Sequence, residues 1–586
     1  MQCRICEIGC DINEHSRGRC GTYMSDGNSI FQDPNIGYMG AYQVSIETIP
    51  MLHFYPSGKF MQVFSTGCNF NCSGCVARLL ASNRSLGWPT LSPLQVVDKA
   101  LQEDCIGVVS TLNEPAANYY NFKKLAILAR EHDLLVGCST NCYFTEDTLE
   151  ELGNLLDFVN VGIKGYSDNN YRTCGVHSSQ PVFRNVSRLV EMGVHVETSL
   201  MYSRGNEDDL MQVARKLSEI SQQIPVQVMR FIPFGDAPIS LEPSIGETER
   251  ICKSLREHMD HVYLFNSPGT DMLHTYCLHC GNLLAEREFY GPMGARLLHP
   301  WTDHKCSCGY IVPVKGTASI KFFNDVGFTG GYRISRAFSM VHAVLTCMGI
   351  LDDQKLLEVW GEMVNAETLM QVHHMIQQPS SYLELVRLIA EKAGTEQEGE
   401  ELASFIRERL ELVSAVAKEN TGHPVYYCMG SPLFAMNAGR AENNLVTFAG
   451  GISINKALQK EGKPGLNVDP DFINKNNPRT IFISGFLSRP LDEFYDLCNQ
   501  YGIVADAVKQ HRVYEMPPSW DFGSPRWILG LLYIASKMYP GKLGIDLKDE
   551  ADEFYRRFYG ISYEDARPNR SFHRPTSGKW PLQMMR

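Results

Sequence analysis

The sequence predicts an α/β protein: a partial (β/α)6 barrel of parallel strands, framed by cysteine-rich segments and followed by a second strand–helix region. Three observations predict it. Apolar runs alternate with amphipathic helical patterns from 58 to 232. The 19 cysteines concentrate at 3–20, 68–75 and 277–308, with only three beyond 310. The character of the chain changes near Val312. At 586 residues the chain also exceeds what one hydrophobic core serves, so two or three domains are expected.

The elements follow in order. KFMQVFS (59–65), CIGVVST (105–111), LLVGCST (134–140), FVNVGIK (158–164), VHVETSL (194–200) and VQVMRFI (226–232) suit buried parallel strands. Between them, SPLQVVDKALQE, NYYNFKKLAILAREH, TEDTLEELGNLL, PVFRNVSRLVEMG and NEDDLMQVARKLSEI carry the helical period. The threonine and acidic residues of TEDTLEEL and NEDDLM suit helix N-termini. In such barrels the chemistry sits at the C-terminal ends of the strands, where a three-cysteine loop directly follows the first strand. The expected organisation is a metal- or cluster-binding segment at 1–45, the barrel at 46–270, a cysteine-rich knuckle at 271–315 and a second domain at 316–586. That domain includes a long helix near 399–419, with strands and helices over 423–586.

Hydrophobic residues make up 44% and charged residues 20%, ordinary for a soluble globular chain. A net charge of −12 argues against non-specific nucleic-acid binding, which needs a basic face. MQCRICEIGCDINEH has neither a basic n-region nor an apolar h-region, and the longest apolar stretch, 338–351, is too short to span a bilayer. A cytoplasmic protein with no nucleic-acid and no membrane partner is expected, its cysteines thiols or metal ligands.

The central motif is FSTGCNFNCSGCVARLL, with Cys68, Cys72 and Cys75 spaced C-x3-C-x2-C. Four thiolates close a [4Fe–4S] cluster; three on one loop leave an iron open to a substrate. Gly67 and Gly74 let the backbone fold tightly there. Spacing alone also permits a structural zinc knuckle completed by a distant cysteine; the strand before, the helix after and five further strand–helix units favour the cluster. Cys3, Cys6, Cys10 and Cys20 (C-x2-C-x3-C-x9-C) suit a zinc site or a closed iron–sulfur cluster. Cys277, Cys280, Cys306 and Cys308 read as a metal knuckle, with His279 and His304 as substitute ligands. Its role is a structural cap on the barrel or, alternatively, an auxiliary cluster.

These residues resemble radical SAM (S-adenosylmethionine) enzymes over about 1–312, on the branch of pyruvate formate-lyase activating enzyme and its AmmeMemoRadiSam-type members. The resemblance implies cluster-driven reductive cleavage of SAM to a 5′-deoxyadenosyl radical that abstracts hydrogen. VVSTLNEPAANYY (108–120) resembles the family's second-strand segment, so that Glu114 would meet the SAM amino group beside Ser110, Thr111 and Asn113. STNCYF (139–144) makes Asn141 a pocket residue. NVGIKGY (160–166) resembles the family's DLKG, with Lys164 toward the SAM carboxylate but Gly162 in place of the aspartate. Gly74 stands where many members carry an aromatic residue, and Phe70 is the candidate replacement. Glu197 and Arg230, on the fifth and sixth strands, are expected at the same mouth. A one-electron donor such as ferredoxin or flavodoxin is the implied partner.

VYYCMGSPLF (425–434), VTFAGGISINKAL (446–458), VDPDFINKNNPRTIFISG (468–485) and residues 520–561 resemble class III substrate-binding proteins. Those have two Rossmann-like lobes joined by a long helix and bind siderophores, haem or cobalamin. The resemblance implies a corrinoid, tetrapyrrole or other metal complex as ligand, with Tyr426, Tyr427, Met429 and Trp520 lining its cleft. Before 395 the first lobe is reduced or rebuilt. Together the two halves give three expectations: a radical SAM enzyme modifying a substrate or cofactor precursor held by the C-terminal domain, an activating-type enzyme acting on a partner protein, or a metal-cofactor carrier with a vestigial barrel.

Overall fold

Apolar runs with β-branched residues become the strands of one sheet, and the amphipathic segments between them become its covering helices. The computed structural model describes all residues except 73, 74, 76, 78–89, 233–238, 291–293, 302, 318–330, 364–370, 373, 460–464, 486–488, 522 and 567–586. Gly74, His373 and most of the glycine-rich stretch at 323–333 therefore lie outside the described residues. The chain forms two compact units: residues 1–234, 241–243 and 247–335, and residues 235–240, 244–246 and 336–586.

The sheet of the first unit runs in sequence order: β1 (Gly40–Ser45), β2 (Lys59–Phe64), β3 (Gly107–Ser110), β4 (Leu135–Thr140), β5 (Phe158–Ile163), β6 (His195–Tyr202), β7 (Val226–Arg230) and β8 (Val262–Leu264). From β2 to β8 every pairing is parallel, while β1 is antiparallel to β2. The six strands read from the sequence are β2–β7; the structure adds the three-residue β8 and the antiparallel edge β1. Helices Pro93–Gln102, Tyr119–Glu131, Glu146–Gly153, Gln180–Glu191 and Glu207–Ile220 fill the crossovers. Ser92 opens the first with a reciprocal capping box to Gln95, and the Thr145 side chain caps Glu146–Gly153.

Register decides which residues look inward. Phe60, Val109 and Phe158 pack with Phe54 inside the curl, so Gln62, Thr111, Asn160 and Gly162 share that face by the two-residue alternation. Glu197 accepts from Gln227, which places alternate residues of β6 and β7 on it as well. Segment 46–58 joins β1 to the start of β2 and plugs the N-terminal end: Leu52 and His53 donate their N–H groups to Glu197, at 2.9 and 2.7 Å.

Helix Gly331–Cys347 runs into the second unit, where Asp353–Met363, Pro379–Ala393 and the 24-residue Glu396–Glu419 precede a six-stranded sheet. β9 (His423–Met429) pairs antiparallel with β10 (Ser431–Met436) and parallel with both β11 (Gly451–Ser453) and β13 (Thr480–Ile483). β12 (Gly465–Asn467) extends from β10 and β14 (Val513–Glu515) from β13. The sheet thus falls within 423–586, and the described residues of 331–419 form helices joined by short turns. No helix among the described residues is long and apolar enough to cross a membrane.

Candidate active site

The cysteine loop leaves β2 at Ser65 and is tied down at once. Ser65 N–H donates to Asn113 Oδ1 at 2.8 Å, and Asn113 Nδ2 returns a bond to Ser65 Oγ at 2.7 Å. Gly67 turns the chain at φ +92°. A Cβ there would lie 2.6 Å from Thr22 Cγ2 and 2.9 Å from Cys20 O, so glycine alone fits. Phe70 N–H donates to Cys68 Sγ at 3.4 Å, Asn141 Nδ2 donates to Asn69 Oδ1 at 2.7 Å, and Asn71 N–H donates to Cys174 O at 2.9 Å. Phe70 stands edge-on to Tyr143 and Tyr171.

Around this loop the structure gathers Asn113, Glu114, Asn141 and Lys164, all at strand C-termini. The buried Glu114 carboxylate accepts from Thr140 Oγ1 (2.6 Å), Asn141 N (2.7 Å) and Ala116 N (3.3 Å). Burial raises its pKa to about 7 against those three bonds. A carboxylate offers about four lone-pair sites, so room remains for one ammonium donor. Lys164 follows β5; despite its desolvation, the thiols of Cys72, Cys174, Cys75 and Cys68 hold its amine above the ordinary range. At Gly162 a Cβ would stand 3.2 Å from Lys164 Nζ, so the family's aspartate would pair with that amine.

The donor chemistry fits a [4Fe–4S] cluster. Burial, and next the Glu114 charge, push the Cys68 thiol well up; the Cys72 thiol is raised by its hydrogen bond with Cys174 and then by burial. Such thiols become ligands when iron supplies the compensating positive charge.

The structure also brings in residues that sequence reasoning did not place. The N-terminal segment lies on this same end of the sheet. Tyr23 OH donates to Ala116 O at 2.6 Å and accepts from Tyr119 N at 3.0 Å. Glu7 N–H donates to Tyr143 O at 3.1 Å, Arg184 Nη2 meets Glu7 Oε1 at 2.7 Å, and Cys6 bridges to Phe144. Cys3, Cys6, Cys10 and Cys20 act on one another: burial raises Cys3 and Cys6, the latter to about 12, and neighbouring thiols of the set add to both. Backbone N–H groups of Ile5 and Ile8 donate to Cys3 and Cys6. Cys174 sits on the helix–loop after β5, beyond the reach of any spacing rule.

Three expected positions lie elsewhere. Glu197 is fully buried near the start of β6, bonded by Leu52, His53, Gln227 and His195, and so seals the N-terminal end. Arg230 ends β7 opposite Tyr202, on the helix side of the sheet, with Nη1 on Glu242 Oε1 (2.8 Å) and Pro243 O (2.7 Å). Ser110 pairs in register with Cys138, also on the helix side, whereas Thr111 turns inward and accepts from Gln62 Nε2 at 2.7 Å. Cys277, Cys280, Cys306 and Cys308 do converge, but at the plugged end: hairpin Arg287–Phe289/Ala295–Leu297 joins Glu47 through Arg287 Nε at 2.8 Å, and Lys315 N–H donates to His53 O at 2.8 Å.

In the second unit, Tyr426 belongs to the core, its OH donating to Pro432 O at 2.8 Å. Tyr427, Met429 and Trp520 are equally buried. Beyond the ends of β9 and β13, buried Asp521 accepts from Ser484 Oγ (2.7 Å), Gly485 N (2.9 Å) and Tyr427 OH (3.2 Å). Burial raises its pKa to about 6.

With this geometry in view, each of the two units contains a match to a known family. Residues 63–217 match the radical SAM superfamily, and residues 362–519 match the periplasmic binding protein family. The chain carries a radical SAM domain, which implies a [4Fe–4S] cluster and SAM. An uncharacterized protein of Methanocaldococcus jannaschii is 28% identical over 304 residues, covering 50% of this chain and 88% of that one. Among solved structures, a periplasmic solute binding protein of Veillonella parvula is similar at 22% identity and a TM-score of 0.29, over 32% of this chain and 58% of that one. A solute binding protein of an ABC transporter from Sulfurospirillum deleyianum is similar at 25% identity and a TM-score of 0.28, over 34% and 64%. The chain thus spans about three fifths of the length of these binding proteins.

Proposed function

We propose that the chain uses the cluster of Cys68, Cys72 and Cys75 to cleave SAM and direct the resulting 5′-deoxyadenosyl radical at a substrate or cofactor precursor bound by the C-terminal domain. The observation that carries this reading is the union, in one chain, of a three-thiol loop backed by Glu114, Asn141 and Lys164 with a match to the periplasmic binding protein family. When bound by Cys68, Cys72 and Cys75, a [4Fe–4S] cluster would supply the electron for SAM cleavage. Glu114, already met by three donors, accepts the SAM ammonium; Lys164 pairs with its carboxylate; Asn113 and Asn141 hold the loop in place from β3 and β4.

Ser110, Glu197 and Arg230 have no contact role in this proposal. Cys3, Cys6, Cys10 and Cys20 form a second metal site on the same end, zinc or iron–sulfur. The barrel half belongs to the pyruvate formate-lyase activating branch, its electrons come from a ferredoxin or flavodoxin, and the protein works in the cytoplasm. The C-terminal ligand is a corrinoid, tetrapyrrole or other metal complex. The test is anaerobic turnover of SAM by the reconstituted full chain with a panel of such complexes, following 5′-deoxyadenosine. Stimulation by one member, lost when that member no longer binds, supports the reading; binding of a complex with no effect on SAM cleavage and no change to the complex contradicts it.

A further inference from the structure

The connector thiols sit at the plugged end of the sheet, and their spacing says what they hold. Each pair lies in a tight loop closed by a left-handed glycine, Gly281 at φ +73° after Cys280 and Gly309 at φ +96° after Cys308. A Cβ on either glycine would meet nothing within 4 Å, so conformation alone calls for glycine. In the first loop Cys277 N–H donates to Asn282 O at 2.8 Å and Gly281 N–H to Cys277 O at 2.9 Å. In the second, Cys306 N–H donates to Tyr310 O at 2.7 Å and Gly309 N–H to Cys306 O at 2.8 Å. The N–H groups of Asn282, Cys308 and Tyr310 turn toward the sulfurs of Cys280, Cys306 and Cys308. Two independent loops thus present their sulfurs to one point.

The sulfurs are close. Cys277 and Cys308 lie 3.5 Å apart, Cys280 and Cys306 also 3.5 Å, and all four fall within 4.8 Å of one another. Four thiolates around a zinc ion, each at about 2.3 Å, form a tetrahedron with edges of about 3.8 Å. An iron–sulfur cluster places at least two irons and bridging sulfides among its thiolates, which drives those on different irons farther apart than this set allows. The two histidines that the sequence offered as substitutes do not belong to the converging set; His279 packs on the Tyr310 ring at 4.9 Å and His304 on Trp301 at 4.9 Å.

The geometry points to a single zinc ion held by Cys277, Cys280, Cys306 and Cys308 in a closed tetrahedral site. Four protein ligands leave no open position, so the ion is structural. It is needed because the connector builds only two-stranded sheets over a small core of Ala285, Leu297, Trp301 and Val312, too little to hold itself. Its place also removes it from the electron path, since β2 alone, with six residues, separates the two ends by about 20 Å.

The test uses the native full chain. Cys280 and Cys308 are exposed and alkylate readily if free. The inference expects both to resist iodoacetamide until a zinc chelator is added, whereupon all four cysteines react as zinc is released. It also expects the Cys280→Ser/Cys308→Ser variant to lose one zinc per chain with its iron unchanged; should that variant misfold, the alkylation of the native chain decides. Rapid alkylation without chelator, or protection that follows iron rather than zinc, overturns the inference.

Discussion

Glu114 shows how one buried side chain sets the pH behaviour of the site. Its carboxyl titrates near pH 7 because burial disfavours the charge, and an ammonium ligand favours the charge. SAM affinity of the reconstituted protein is therefore full above pH 7 and falls about tenfold per unit below it. Equilibrium dialysis across pH 6 to 8 should give that slope, and Glu114→Gln should bind weakly and without it; a flat wild-type profile contradicts the assignment. Gly67 supports a second prediction. Alanine at φ +92°, pressed on Cys20 O and Thr22, costs about 1–3 kcal/mol. Iron content after reconstitution should drop, and wild-type iron loading in Gly67→Ala would show that the turn tolerates a side chain.

At the scale of elements, the plugged end rests on one buried ion pair. Arg287 and Glu47 are both fully buried, and Arg287 also reaches Thr275 Oγ1 at 2.7 Å, while Leu297 N–H donates to Glu47 at 3.1 Å. Glu47→Ala strands the guanidinium and should destabilise the first unit by about 3–5 kcal/mol in denaturant unfolding; a loss below about 1 kcal/mol would mean that the pair carries little. The strands β2–β7 were legible because long apolar runs alternate with amphipathic helices. β8 was not, being three residues after a polar HMDH stretch, nor was β1, where Gly40, Tyr42 and Gln43 dilute the pattern. Facing was the larger gap. A shift of one residue reverses a side chain's direction, so Ser110, expected beside Glu114, and Arg230, expected at the mouth, lie on the helix side. Glu197, expected at the mouth, lies near the start of its strand rather than at its end. Asn141 and Lys164 directly follow β4 and β5, and Glu114 follows β3 after a short turn, so their position at strand C-termini needs no register to be read. The contact of the N-terminal segment with Gly67 and Tyr143, and the nearness of Cys174 to Cys72, arise from tertiary folding that no local spacing encodes.

For the whole molecule, one chain joins two compact units. The first presents the Cys68, Cys72 and Cys75 thiols, a buried carboxylate and an amine at the open ends of a parallel sheet. The second carries the match to binding proteins, its described strands confined to the later part. The central claim is that the three thiols hold a cluster whose remaining iron meets SAM. Electron paramagnetic resonance of the anaerobically reconstituted, reduced full chain tests it most directly. The account predicts a [4Fe–4S]⁺ signal that shifts on addition of SAM and disappears in Cys68→Ala. A protein that takes up zinc alone, or a cluster signal indifferent to SAM, would contradict it.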